Sequence, residues 1–259
     1  MSPLPGDMIT FANSLADDSG AVIRRRFRQR INVEIKPDNS PVSDADKETE
    51  GELRRLIGAA FPSHGIIGEE YGNEHPDAEY VWVLDPIDGT KSFISGMPAW
   101  GTLIALLRAG EPVFGMMNQP FTRERFSGDG AKSQYRGPAG PRDLRVRACA
   151  ELAEAVLLTT SPLLMKEADR ALFGRVEQAV RLSRYGGDCY AYCMLAAGHV
   201  DLVIETELKP YDVLPLVPII AGAGGVVTTW EGGAPNAGGR IIAAGDKRVH
   251  EAAMQVLGG

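Results

Sequence analysis

Along residues 6 to 28, Met8, Phe11, Leu15, Val22, Ile23 and Phe27 recur at mostly helical spacing with charged residues on the other side. That pattern predicts an amphipathic opening helix whose use is packing. The same period returns from Asp44 to Ala60, where Leu53, Leu56, Ile57 and Ala60 share one side. Between the two, Ile31 to Pro41 carries Lys36, Pro37, Asp38, Asn39, Ser40 and Pro41, turn formers that suit a strand pair or a mobile flap. Gly65 to Gly68 and Tyr80 to Leu84 are apolar runs too short for helices, each ending in acidic residues, and they predict buried strands. Thr102 to Arg108 and Val113 to Met117 flank Ala109-Gly110-Glu111-Pro112 and predict a hairpin. Asn118 to Arg142, rich in glycine, proline and charge, predicts loops and short edge strands.

In the last third the alternation becomes regular. Strands are expected at Ala155 to Thr160, Asp201 to Glu205, Val226 to Thr229 and Ile241 to Ala244. Helices are expected near Glu167 to Val180, Cys189 to Ala197, Val213 to Ala223 and Asp246 to Leu257. The sum is a layered α/β protein without internal repeats or low-complexity tracts.

At 259 residues, with 44% hydrophobic and 24% charged side chains, the chain can bury a sizeable core as one compact unit or two tightly joined halves. Its net charge of −7, from 27 basic and 34 acidic residues, and a longest basic run of Arg24-Arg25-Arg26 argue against a nucleic-acid partner. Asp7, Asp17 and Asp18 interrupt the apolar core that a secretory signal needs, and no run approaches a membrane span. Cys149, Cys189 and Cys193 are odd in number and lack CxxC spacing, so they predict small buried hydrophobes in a reducing cytoplasm, not disulfides or a zinc site.

The candidate chemistry begins at Asp85-Pro86-Ile87-Asp88-Gly89-Thr90. Two carboxylates at the end of an apolar strand, with Pro86 fixing the backbone and Gly89 permitting a sharp turn, can project into one cavity. Mg²⁺ takes oxygen ligands and keeps several waters, so two carboxylates and a carbonyl such as that of Ile87 suffice as protein donors. Gly89 and Thr90 then open a segment whose backbone N–H groups can hold a phosphate, and the Thr90 hydroxyl can orient water. An ordinary strand-to-turn connection with solvated acids explains the segment equally well when it is taken alone. Taken alone, Gly68-Glu69-Glu70 is better explained by a Glu-rich surface turn than by a metal site, Asp212 by an N-cap, and Asp46 by the acidic first turn of a helix.

Taken together, these segments closely resemble the inositol monophosphatase family of magnesium-dependent, lithium-sensitive phosphatases. Gly68-Glu69-Glu70, then Asp85 to Thr90, then Tyr211-Asp212 followed by Ala221-Gly222-Ala223-Gly224-Gly225 stand in that family's order, over nearly the whole chain. The resemblance implies alternating helix and sheet layers of the fructose-1,6-bisphosphatase-like type. It implies one domain over residues 1–259, with a metal-binding half to about 143 and an α/β half from about 144. It also implies a homodimer, two or three Mg²⁺ ions per active site, and a small phosphate monoester as substrate. Glu69, Asp85 and the Ile87 carbonyl would bind one metal, and Asp85, Asp88 and Asp212 a second. Glu69 and Thr90 would act on the attacking water, Asp46 would be a further acid near that threonine and an optional third metal, and Lys36 would lie on the flap. Gly89, Thr90, Gly187, Asp188, Glu205 and Asp212 would meet the substrate. His64, His75, His199 and His250 fall outside these segments and are expected on the surface or in loops, with His199 at a helix end.

Lys91-Ser92-Phe93, Gly186-Gly187-Asp188-Cys189-Tyr190 and Glu205 with Lys209-Pro210-Tyr211-Asp212 depart from the animal inositol phosphatase pattern and look like the histidinol-phosphate phosphatase branch, an activity of histidine biosynthesis. Such a substrate carries an amine and an imidazole, for which Asp188 and Glu205 are acceptors beyond those serving metals. An N-cap and a strand-end surface acid are the plain alternatives for these two. Tyr190, Tyr192 and Tyr211 line the pocket or pack the core. Inositol 1-phosphate is the next substrate reading, with Glu205 accepting from ring hydroxyls. A nucleotide 3′,5′-bisphosphate, to which Lys91 is suited, is the third. A catalytically silent, metal-binding dimer is the non-enzymatic alternative, against which the intact acidic set and Thr90 stand.

Overall fold

Along the central strand successive side chains are buried on opposite faces, and that arrangement explains the architecture. The computed structural model describes residues 6–37 and 40–258; Asp38 and Asn39, in the turn of the expected flap, lie outside the described residues. Helix α1 (Gly6–Arg26) leads into a two-stranded pair, β1 (Val33–Ile35) and β2 (Pro41–Ser43), and then into α2 (Asp44–Ala60). The first sheet comprises β3 (Gly65–Gly68), β4 (Gly72–Glu74), β5 (Tyr80–Asp88), β6 (Gly101–Arg108), β7 (Glu111–Gln119), β8 (Glu124–Gly128), β9 (Ser133–Gly137) and β10 (Gly140–Asp143). Five-residue α3 (Thr90–Ile94) follows β5. On β5, Trp82 and Leu84 join Leu15, Leu53 and Ile57 of α1 and α2, whereas Val81 and Val83 join Leu214 on the opposite face. Successive side chains point to opposite faces of a strand, so a strand covered on both faces reads as an unbroken apolar run.

The second sheet comprises β11 (Val156–Thr159), β12 (Leu182–Tyr185), β13 (Leu202–Leu208), β14 (Val226–Thr229) and β15 (Gly239–Ala244), in spatial order β12-β11-β13-β15-β14. Helices α4 (Glu167–Ala179) and α8 (Lys247–Gly258) bury Phe173, Val176, Val249 and Leu257 on one face, against Leu157, Leu202 and Ile242. On the other face, α5 (Asp188–Ala196) and α7 (Leu216–Gly222), the latter preceded by the short α6 (Pro210–Val213), share a core with Val203 and Ala243. Leu103, Met117 and Phe126 of the first sheet enter that same core, so the helices form a common middle layer and the order is helices, sheet, helices, sheet, helices. Among the described residues, no helix is long and apolar enough to cross a membrane.

Several elements differ from expectation. Residues 118–142 contain β8 and β9 inside the sheet, with only β10 at its edge, because buried Phe126 and Tyr135 meet edge to face at 5.0 Å and anchor the pair. The helix expected from Val213 to Ala223 is broken at Leu214-Pro215, where proline has no N–H to continue the ladder. Strands β4 and β12 carry little burial and so had no apolar signature. Two histidines are packing residues. His250 lies buried in α8, 2.9 Å from the Thr228 hydroxyl, and His64 stacks on Phe61 and accepts the Trp82 indole N–H at 3.1 Å. His199 does sit at the end of α5, its N–H closing on the Met194 carbonyl. All three cysteines are free and buried.

Gly115 on β7 shows how tightly the middle layer meets the first sheet: a Cβ there would lie 1.9 Å from the Pro215 carbonyl oxygen, in the link between α6 and α7. Gly115→Ala is therefore expected to destabilise the fold by about 1–3 kcal/mol, the usual scale of overpacking. Urea denaturation measures it, and an unchanged midpoint would refute the close approach.

Candidate functional site

Asp85 and Asp88 are three residues apart, a spacing that places side chains on opposite faces of a regular strand. Strand β5 avoids this with an irregularity: Asp85 pairs with Leu103 and Asp88 with Gly101, so three steps on β5 match two on β6. The extra residue rotates the chain, and Pro86, which has no ladder N–H to lose, is tolerated there. The Ile87 N–H donates to Asp85 Oδ1 at 3.0 Å, and the Cys189 N–H at the start of α5 donates to Asp88 Oδ2 at 2.6 Å. Gly101, beside Asp88, makes room for α5, since a Cβ would lie 3.1 Å from Cys189 Sγ. Gly89, at φ 86°, turns the chain into α3, and Thr90 Oγ1 donates to the Ile87 carbonyl at 3.2 Å.

Parallel pairing brings the next acid alongside. Gly68 pairs with Leu84, and the Glu69 N–H continues the ladder to the Leu84 carbonyl, which sets Glu69 level with Asp85. Buried Glu50 of α2 holds this turn by accepting from the Glu70 and Tyr71 N–H groups. Lys36, just beyond β1, reaches over to Glu69 and Glu70 at 2.8 Å each. Asp212 arrives from the middle layer as the third residue of α6, accepting from the Lys209 N–H at 2.7 Å, so it is not the N-cap that its sequence position suggested. One carboxylate oxygen from each of Asp85, Asp88 and Asp212 lies within 4.8 Å of the others.

Asp46 is fully buried, with Oδ2 bonded to the Ser43 N–H and hydroxyl and Oδ1 without a hydrogen-bond partner among the described residues. It is thus bonded to Ser43 and not to the Thr90 hydroxyl, and the Glu69 carboxylate acts on it by raising its pKa further.

A cavity of about 590 Å³ opens over the acids, lined by Glu69, Asp88, Gly89, Thr90, Asp188, Glu205, Tyr211 and Asp212 among others. Glu205 is buried, not a surface acid: it accepts from the Thr160 N–H at 2.7 Å and the Tyr192 hydroxyl at 3.1 Å. Asp188 is the first residue of α5, not its N-cap, and accepts from the Ser92 hydroxyl at 2.9 Å. Gly187 packs against Ala191 and does not line the cavity, and Tyr190 is turned away to Glu124 and Thr122. Thr159, Thr160, Ser161, Thr206 and Glu207 also line the cavity and were missed. They follow or end strands β11 and β13, which are parallel neighbours, and the carboxyl ends of parallel strands are where α/β clefts form.

The sequence model of the inositol monophosphatase family matches residues 5–258. The bifunctional phosphatase IMPL2, chloroplastic, of Arabidopsis thaliana is 46% identical over 257 residues, covering 95% of this chain and 73% of that protein. A histidinol-phosphatase of Mycobacterium tuberculosis is 35% identical over 247 residues, covering 92% and 93%. Among solved structures, an inositol monophosphatase from Zymomonas mobilis superposes with a TM-score of 0.88 at 40% identity, covering 98% of each chain.

The charge balance of the cluster suits a hard divalent cation. Burial pushes the Asp85 and Asp88 carboxyls well up, and neighbouring carboxylates add to the effect. Burial likewise raises Asp212 to about 7, against the Lys209 N–H bond, and Asp46 to about 6, against its Ser43 bonds. Burial also raises Glu70 to about 7, although Lys36 opposes it. Oxygen donors that are short of positive charge and too close to ionise together are the donor set Mg²⁺ takes.

Each of these folded-state pKa values lies above the ordinary carboxyl range, so the metal-free native state holds more protons than the unfolded chain. The associated stability is present below about pH 4 and lost as pH rises toward about 7. In a chelator, melting temperature is expected to fall across that interval, with a shallower fall in Asp212→Asn and in wild type with added Mg²⁺. Identical slopes in all three calorimetric series would contradict the charge assignment.

Proposed function

The chain belongs to the inositol monophosphatase family and is a phosphoric monoester hydrolase, and from that premise we propose that its ester is histidinol phosphate, released as histidinol and phosphate. The observation that carries this reading is the pair Asp188 and Glu205, two acids in the wall of the cavity beyond the acidic cluster. A hydroxylated ring needs donors and acceptors in balance, whereas an amine and an imidazole need acceptors.

Glu69, Asp85 and the Ile87 carbonyl would hold one Mg²⁺ and Asp85, Asp88 and Asp212 another, with Asp46 behind them as donor to an optional third. A cation held there would supply charge to offset the ester dianion and would make a bound water more acidic. Glu69 then accepts the proton of the attacking water while the Thr90 hydroxyl aligns it in line with the leaving oxygen. Gly89, without a side chain, leaves the phosphate room beside Asp88. Asp188 and Glu205 bind the cationic end, and Glu205 is held for this by the Thr160 N–H and the Tyr192 hydroxyl. No covalent intermediate is needed: among the described residues no imidazole lines the cavity, and the one thiol that does, Cys189, is buried, with burial pushing its pKa up and keeping it protonated.

Inositol 1-phosphate is the second reading, favoured by the likeness to the Zymomonas mobilis inositol monophosphatase. In that case Glu205 accepts from ring hydroxyls. Phosphate release with Mg²⁺ separates the two: kcat/KM is expected to be higher for histidinol phosphate by about 10-fold or more, the worth of one well-placed charged contact. Equal or reversed values would sink the histidinol assignment and leave the hydrolase class intact. Asp88→Asn is expected to cut turnover by about two orders of magnitude, the scale of losing one preorganised electrostatic contact, with the metal-free melting temperature at neutral pH retained or raised, because a buried charge is removed. Near-wild-type activity in that variant would refute the metal-ligand role.

A further inference from the structure

Asp188 occupies the left-handed region at φ 43°, a conformation that costs a non-glycine residue energy and recurs at functional sites. The chain on both sides of it is fixed. Gly187 packs on Ala191 and Leu158, and Cys189 gives its N–H to Asp88 Oδ2 at 2.6 Å. Gly89 closes in from the first sheet, where a Cβ would lie 3.1 Å from Asp188 Cγ. Backbone and surroundings therefore place the residue, but they do not choose which way its carboxylate faces. Among the described residues, Ser92 of α3 supplies that direction with its hydroxyl, 2.9 Å from Asp188 Oδ2. Lys91, which lines the same cavity, is a competing cation one residue away.

We propose that Ser92 is a positioning residue for substrate choice: its hydroxyl holds Asp188 Oδ2 so that Oδ1 receives the cationic end of a phosphate monoester. This rests on the reading of Asp188 given under Proposed function. A hydroxyl suits the task better than a cation, because it orients the carboxylate without neutralising it and leaves the charge for the substrate. Without Ser92, Asp188 is free to turn to the Lys91 ammonium, and its charge is then spent within the protein.

The test compares kcat/KM for histidinol phosphate and inositol 1-phosphate on the full chain with Mg²⁺. Ser92→Ala is expected to lower the ratio about 10-fold, the order expected for one hydrogen bond to a charged group, through a raised KM for histidinol phosphate. Ser92→Thr, which keeps the hydroxyl, restores the ratio. Ser92→Val, its isostere without the hydroxyl, gives the same loss and serves if the alanine variant unfolds. A ratio unchanged in both hydroxyl-free variants, or an equal loss on both esters, overturns the positioning role and leaves the substrate reading standing. A wild-type enzyme without preference for the cationic ester overturns both.

Discussion

Carboxylates that repel one another, held together and out of water, set the terms for the rest of this structure. Asp85, Asp88 and Asp212 bring oxygens within 4.8 Å of each other, and Asp85 is almost wholly buried. At about 5 Å and an effective dielectric near 20, two unit charges repel by roughly 3 kcal/mol, and three such pairs would exceed what one local turn could withstand. The fold meets this with backbone N–H groups from Ile87, Cys189 and Lys209, each of which fixes one carboxylate without cancelling its charge. Such bonds orient the acids and leave the excess negative charge for a cation to take up.

The acids come from separate layers, and this explains why the packing between layers is so close. β3 and β5 deliver Glu69, Asp85 and Asp88 from the first sheet, and α6 delivers Asp212 from the middle layer. Their relative positions are only as fixed as the contact between those layers. Glycines stand at two of the closest approaches, with Gly115 of β7 against the Pro215 carbonyl and Gly128 of β8 against the Pro218 carbonyl of α7, and at both a side chain would push the middle helices away from the sheet. The substrate wall joins on through the second sheet, where Glu205 on β13 and Thr160 after β11 face the cavity from the carboxyl ends of parallel strands. On the reading proposed above, reaction falls to the acids of the first sheet and of α6, and recognition to Asp188 on α5 and Glu205 on the second sheet.

Much of this was legible in the sequence because period and burial coincide. α1, α2, the apolar part of β5 and the α/β alternation after residue 155 all follow from apolar spacing. The sequence reading lost β5 at Leu84, where the apolar run stops, although the strand continues to Asp88 through an irregularity that period-two patterning cannot express. It also lost β4 and β12, whose side chains are mostly exposed. Of the candidate site, Glu69, Asp85, Asp88, Thr90 and Asp212 were singled out by the order of their segments along the chain, and the structure brings them together. Glu50 and Ser92 were not, because a residue that acts by holding another has no signature until both are seen in space. His64 and His250 misled for the opposite reason, since an imidazole whose ring nitrogen is bonded buries as readily as a small aromatic.

The peptide at Asp188-Cys189 shows how reaction and recognition are tied. Its N–H holds Asp88 in the acidic cluster, while the adjoining side chain faces the substrate wall. The backbone there cannot shift without moving a carboxylate of the cluster, and Gly89, at φ 86° and 2.8 Å in Cβ distance from the Ala99 carbonyl, allows little give from the other side. What remains free to vary is the side chain at 188 and the residue that is hydrogen-bonded to it, Ser92. A change of substrate within this scaffold is therefore expected to run through side-chain replacements around positions 188 and 92, with the backbone of α5 and the acids of β5 left as they are. That division follows from geometry: the chemistry needs a fixed peptide, and the recognition needs only what the peptide carries.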